Sequence, residues 1–271
     1  MPQAIPIVGA VAGGLVSHAV GAAIGGGVIG SIVGSIAGGV VSVGVSYLGS
    51  KAFGKEPDRP RVESSSQPIT SHRIVYGKTR VSGPIVFIHS RPVSGSSDKL
   101  DMLHVVIVLA AHESSAIDDI YFNDGVVALD GSGNATTVPF KQGSTVFASI
   151  YKHLGAANQA ADQVLIDNSG GKWTSGHRLR GLTYIHAMLR WDETAYASGL
   201  PNISAVVEGR KLYDPRTEET AWSDNAALCL LDYVMSSFGL GASLDEIDLN
   251  SFIAAANICD EDVDTIDSTE K

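Results

Sequence analysis

Two neighbouring stretches decide the fold. Leu103–Ala110 reads Leu-His-Val-Val-Ile-Val-Leu-Ala, and Ile117–Leu129 reads Ile-Asp-Asp-Ile-Tyr-Phe-Asn-Asp-Gly-Val-Val-Ala-Leu. The first is a short apolar run rich in β-branched residues, the signature of a strand buried in a core rather than half-exposed on a sheet surface. The second holds Ile117–Phe122 and Val126–Leu129 on either side of Asn123-Asp124-Gly125. Asn and Gly tolerate the left-handed backbone of a tight turn, so this is a hairpin.

Outward from these, Ile74–Tyr76 and Val81–Ile88 read as strands flanking a turn at Gly77-Lys78, with Pro84 at an edge where no amide donor is needed. Thr183–Trp191 and Ile203–Val207 are further strands, and Gly199–Asn202 and Asp214-Pro215-Arg216 are loops. Helical signals are fewer. Asn158–Ile166 is a short helix. Ser223-Asp224 is read as the cap of a helix over Asn225–Ser237, whose Leu228, Leu231 and Val234 recur at helical spacing and which Gly239 stops. Ser243-Leu-Asp-Glu246 is a capping box before a second apolar helical patch, Phe252–Ile258. Cys229 and Cys259 fall in these helices outside any C-x-x-C, which suits small buried apolar residues better than a metal or redox pair. The expected class is α+β, mainly β.

The N-terminal fifty residues are a different material. No Asp, Glu, Lys or Arg precedes Lys51. The segment is long enough for one long membrane span or a tight helical hairpin, and it lacks the basic start and short apolar core of a signal peptide. Gly26, Gly30, Gly34 and Gly38 recur every four residues, and Gly9, Gly13, Ser17, Gly21 and Gly25 form a second row. In a helix each row is one flat face that lets backbones approach closely. Glycine weakens an isolated helix by about 1 kcal/mol per residue relative to alanine, so such a helix needs partners: lipid, a protein assembly, or further copies of itself. The basic flank Lys51, Lys55, Arg59, Arg61 is interleaved with Glu56 and Asp58 and gives only a weak orientation signal. The chain thus divides into an apolar segment 1–50, a Pro/Ser-rich charged linker 51–68, a β-rich domain 69–215 and a helical part 216–271.

Composition narrows the function. The 271 residues carry a net charge of −10, against a dedicated nucleic-acid binder. Two cysteines cannot build a disulfide framework at this length. Catalytic motifs fail one by one. His112-Glu113 begins a zinc-protease motif, but position 116 is Ala. Ser96-Ser-Asp-Lys99 and Ser223-Asp-Asn225 mimic two β-lactamase boxes, but the third, Lys78-Thr79-Arg80, is out of order and lacks its Gly. Gly170-Gly171-Lys172 is followed by Trp173 where a phosphate-binding loop needs Ser or Thr. His177 and His186 have no ligand spacing, and His104 and His186 suit strand residues with one polar partner each. Asn134-Ala-Thr136 and Asn202-Ile-Ser204 are sequons that matter only in a secreted eukaryotic chain. The expectation is a non-enzyme with no catalytic residue, no cofactor and no metal.

Several phrases in order carry a resemblance. Arg73–Pro84, Leu103–Glu113, Ile117–Asp124, Tyr184–Asp192, Gly209–Arg216, Trp222–Tyr233 and Asn250–Glu261 resemble the N-terminal part of the tip-attachment protein J, or central tail hub, family of long-tailed, lambda-like bacteriophages. The resemblance runs from about residue 70 to the end. It implies a tail-tube-like β-barrel hub domain with helical insertions, assembled as a homotrimer that closes the distal end of the tail tube and links it to the receptor-binding tip. It implies the tail tube or distal tail proteins, the C-terminal end of the tape-measure protein and other tail-tip proteins as partners, with residence in the virion after assembly in the host cytoplasm. Relatives continue for many hundreds of residues beyond the length seen here. The glycine row Gly26, Gly30, Gly34 and Gly38 would then bundle in the tube lumen, or enter the host membrane during genome delivery. Two other classes compete: a membrane-inserting or pore-forming protein with a soluble β-domain, and an unrecognised hydrolase.

Overall fold

The computed structural model describes residues 71–93 and 101–262. The leader 1–50 with Gly26, Gly30, Gly34 and Gly38, the linker 51–68 and the Ser96–Lys99 phrase lie outside the described residues.

Among the described residues eleven strands form two main sheets and a small ribbon, and every pairing there is antiparallel. They are β1 Lys78–Val81, β2 Ile85–Arg91, β3 Met102–Ala110, β4 Ser114–Phe122, β5 Gly125–Val127, β6 Lys141–Gln142, β7 Thr145–Val146, β8 Ala148–His153, β9 Thr183–Arg190, β10 Ile203–Asp214 and β11 Glu219–Trp222. Three helices follow their own order: α1 Gln163–Asn168, α2 Ala226–Met235 and α3 Leu249–Cys259. The first sheet runs β1-β10-β4-β5, with β11 beside the far half of β10; the second runs β2-β3-β9-β8.

The two sheets share one core. Leu103, Val105, Ile107 and Leu109 of β3, with Ile150, Ile185, Ala187 and Leu189, meet Ile117, Ile120, Phe122, Ile203, Ala205 and Val207 of the first sheet. Each aliphatic side chain fully buried here is worth about 1.5–3 kcal/mol against exposure. Alternation along a strand sends the intervening residues of β3, His104, Val106 and Val108, to the opposite face. There Val106 and Tyr184 are covered by Leu165 and Trp173 from the excursion between β8 and β9, which carries α1. The apolar run is therefore buried on both sides, as its composition predicts. A third cluster, Leu212, Ala227, Leu228 and Ala256, seats α2 and α3 on the end of β10.

The hairpin forms as read: Phe122 pairs with Gly125, and Asn123 takes φ 56° in the two-residue turn. Elsewhere the expectations need correction. No described sheet closes into a barrel; two open sheets lie face to face instead. Ile74–Tyr76 is not a strand, although its backbone is tied down: the Arg210 amide donates to the Val75 carbonyl, and the Val75 amide donates to His112 Nε2. Val81–Ile88 is not one strand either. It breaks at Ser82-Gly83-Pro84, and the chain passes from the first sheet to the second. The break needs glycine, since a Cβ on Gly83 would stand 1.8 Å from the Val108 carbonyl oxygen. The helix expected over Asn158–Ile166 starts later, at Gln163, because Asp162 is its cap. Strand β10 runs on to Asp214 and turns back into β11, so sheet pairing continues past residue 215. Cys229 is half-buried and Cys259 exposed, and both are free, so the second is no core residue.

Gly209 carries the same constraint as Gly83, its missing Cβ lying 2.1 Å from the Val75 carbonyl oxygen. Gly83→Ala and Gly209→Ala are each expected to destabilise the chain by at least about 2 kcal/mol, whereas Gly131→Ala, with open space around it, stays within about 0.5 kcal/mol. Urea unfolding of the three variants checks this.

Candidate functional site

The outer face of the second sheet carries a chain of polar side chains that the sequence does not announce. His104 on β3 and His186 on β9 are fully buried, and His104 Nδ1 lies 2.9 Å from His186 Nε2. His186 Nδ1 lies 2.9 Å from Asp162 Oδ2, and His153 Nε2 reaches the same oxygen at 2.9 Å. Asp162 Oδ1 accepts the Leu165 amide at 2.9 Å and so caps α1. At the other end Arg91 Nε approaches His104 Nε2 at 3.3 Å. Tyr151 stacks on His186, and His153 stacks on Tyr184.

Donor and acceptor accounting fixes the direction of this chain. A guanidinium only donates and an ionised carboxylate only accepts, while a neutral imidazole does one of each. Arg91 therefore donates to His104 Nε2, His104 donates from Nδ1 to His186 Nε2, and His186 donates from Nδ1 to Asp162. Both rings are neutral in this arrangement. A proton added to either would set two donors against each other. Burial, with His186 and Arg91 adding to it, pushes His104 down from 6.5 to about 3. Burial alone would raise Asp162, but the hydrogen bonds from His153 and His186 override it and hold the carboxyl below the usual carboxylate range.

Chemically this is a clamp. Asp162 sits in the excursion, and the histidines sit on the sheet, so their bonds fasten α1 and its flanking loops over Val106 and Tyr184. No Ser, Thr or Cys side chain takes part in its bonds, and no His/Cys/Asp/Glu cluster among the described residues is arranged to hold a metal ion. His177 does not join: its Nδ1 accepts the Thr174 amide, and its ring stacks on Trp173.

The other motif residues have local roles. His112 accepts from Val75 at Nε2 and bonds the Glu113 carbonyl through Nδ1, while Glu113 pairs with Lys211. Asn225 caps α2 through the Ala227 and Leu228 amides, and its Nδ2 reaches the Ala256 carbonyl and Asp260, joining the start of α2 to the end of α3. Lys78 pairs with Asp118 and Glu208. The box at Ser243 forms as read, with Glu246 accepting from the Ser243 amide and hydroxyl at the start of a short 3-10 turn, Leu244–Glu246.

A second feature is an apolar corner on the helical part. Leu230 is 54% exposed, Leu240 74% and Ile258 65%, and Tyr233, Phe238 and Leu244 accompany them. Tyr233 and Phe238 touch, and Phe238 lies under the Arg210 guanidinium. Arg210, in turn, pairs with Asp232, which also accepts from Tyr76 Oη at 2.6 Å. Beside this corner a cleft of about 480 Å³ is lined by His72, Ile74, Ala111, Arg210, Ser236, Ser237 and Phe238. Among the described residues no helix is long and apolar enough to cross a membrane.

No protein-family model and no curated protein matches this chain. Among solved structures, a chain from the virion of a native gene transfer agent particle is similar at a TM-score of 0.36 and 15% identity. That match takes in 58% of this chain and 30% of the other. It is a partial likeness of chain path.

Two predictions follow from the clamp. A histidine neutral when folded and free to protonate when unfolded takes up a proton on unfolding between its two pKa values. His104 stability is thus complete above about 6.5 and lost progressively as pH falls toward about 3; His89 and His112, both lowered by burial, act in the same direction. Asp162 adds a further loss below 3.8. Calorimetric melting of the wild type should therefore fall between pH 7 and 4. His104→Gln, which can donate to His186 and accept from Arg91, should fall less steeply, by about one proton at pH 5; parallel curves would show that His104 is not responsible. Asp162→Ala leaves His186 with a buried unpaired donor and should cost about 3 kcal/mol or more, with amide exchange speeding first between residues 154 and 182.

Proposed function

We propose that this chain is a structural virion protein: a non-catalytic subunit of the hub that closes the distal end of a phage tail tube and joins it to the receptor-binding tip. The observation that carries this reading is the apolar corner formed by Leu230, Tyr233, Phe238, Leu240, Leu244 and Ile258 on a rigid two-sheet body. That many exposed large apolar side chains within one short helical part favour a permanent protein neighbour. The ordered phrases from Arg73 to Glu261 support the tail-hub reading by resemblance, and the uncharged leader gives a second reason for a multi-copy setting. In this reading three copies form the hub. The tube or distal tail proteins, other tip proteins and the end of the tape-measure protein surround it, and the rows at Gly26, Gly30, Gly34 and Gly38 pack together in the lumen.

One observation favours a second reading. The charge-free run before Lys51 is long enough to enter a bilayer, which would make the chain a membrane-inserting protein with a soluble β-domain. The two readings separate by experiment. Immunogold labelling of intact particles with antibody raised against the β-rich domain should mark the distal tail end. Quantitative mass spectrometry should count about three copies per particle, as a closed cyclic assembly requires. Absence from purified particles, together with flotation of the full chain on liposomes, would replace the first reading with the second.

A further inference from the structure

The charge of this molecule is unevenly placed. Between residues 216 and 262 ten acidic residues face a single base, Arg216. Arg216 is already committed to Asp214 and Asp260. Asp245, Glu246 and Asp248 follow the exposed Leu244 in sequence, and Asp260, Glu261 and Asp262 follow the exposed Ile258.

The outer face of the second sheet is the opposite. Arg91 of β2 and Arg190 of β9 both flank Met102 of β3, so they sit in one row across the sheet. His89 lies one pleat along β2, and Lys172 of the excursion reaches its Nδ1 at 3.3 Å. Among the described residues none of the ion pairs involves Arg91, Lys172 or Arg190. Lys172 and Arg91, after burial, lower the pKa of His89, as a positive potential unanswered by carboxylates would. In a chain of net charge −10 this leaves a basic face on one element and an acidic, apolar corner on another.

We propose that these two surfaces bind each other between copies. The row Arg91–Arg190 with Lys172 on one copy receives the acidic, apolar corner of the next, where Asp245 follows the exposed Leu244 in sequence and Glu261 lies three residues after the exposed Ile258. The occupant is a second copy because the complementary partner is present in this same chain: few other proteins offer so many acids beside an exposed apolar ridge, and the excess of negative charge makes phosphate backbone a poor competitor. The contact is heterologous, one patch against a different patch, which closes into a ring when the rotation allows. Complementary potentials of this kind set register and orientation more than raw affinity. The inference deepens the hub reading by naming the faces through which its subunits meet.

Charge reversal tests it on the full chain held in mild nonionic detergent. Self-association measured by sedimentation should weaken at least about tenfold in Lys172→Glu/Arg190→Glu and likewise in Asp245→Lys/Glu261→Lys. Raising salt from about 50 to about 500 mM should weaken the wild type in the same way. Mixing the two reversed variants should restore assembly, because each then offers the face the other lacks. Circular dichroism melts of both variants distinguish loss of contact from loss of fold. Wild-type assembly that ignores salt and both reversals overturns the proposed faces while leaving a hub assembly in place. Retention of single-stranded DNA by the wild type but not by Lys172→Glu/Arg190→Glu, with self-association unchanged, would reassign the basic face to nucleic acid and also overturn it.

Discussion

A strand that is apolar on both faces has no stable place in water unless something covers each side. Strand β3 is that strand, and the architecture is the answer to its two exposures. The first sheet covers one face through Ile117, Ile120 and Phe122, and the excursion carrying α1 covers the other through Leu165 and Trp173. The second cover is not a sheet, so it has no ladder of backbone bonds to hold it. Asp162 supplies what the ladder would, bonding the sheet through two histidines and its own helix through Leu165. Placing a carboxylate in an apolar layer is costly unless every lone pair finds a donor, and this one is satisfied from three directions.

The strands were legible where composition and position agree. The β-branched run of β3, the Asn-Asp-Gly turn and the Ser243 box each carry their chemistry locally, and each appears where the residues put it. The misreadings came from long-range demands. Ile74–Tyr76 has strand-like residues, but the ladder of β1 on β10 ends at Lys78–Glu208, the chain turns through Gly77 at φ 62°, and the segment beyond it bonds singly to Arg210 and His112. Val81–Ile88 looks continuous, yet the chain must leave one sheet for the other, and only Gly83 can approach the Val108 carbonyl that closely.

The clamp was the least legible feature. Its members lie at positions 91, 104, 153, 162 and 186, on four strands and the cap of α1, with no spacing that could announce them. His104 and His186 were read as strand residues with one polar partner each; both have two. The apolar corner was equally hidden. Helical periodicity marks the buried side of α2 through Leu228 and Leu231, and it says nothing about why Leu230 and Tyr233 should remain in solvent. What the fold adds on the second sheet is a basic row, Arg91 and Arg190, assembled from strands far apart in sequence.

The one-way run from Arg91 through His104 and His186 to Asp162 has an evolutionary consequence. Each ring's tautomer is dictated by its neighbours, so no member can be exchanged alone for a group with the opposite hydrogen-bonding sense. Viable descendants must either keep the donor and acceptor sense at every member, as glutamine at position 104 would, or replace the whole string with hydrocarbon in near-simultaneous steps. A lineage that changes this interior should do so as a block, whereas its outward-facing residues remain free to drift singly.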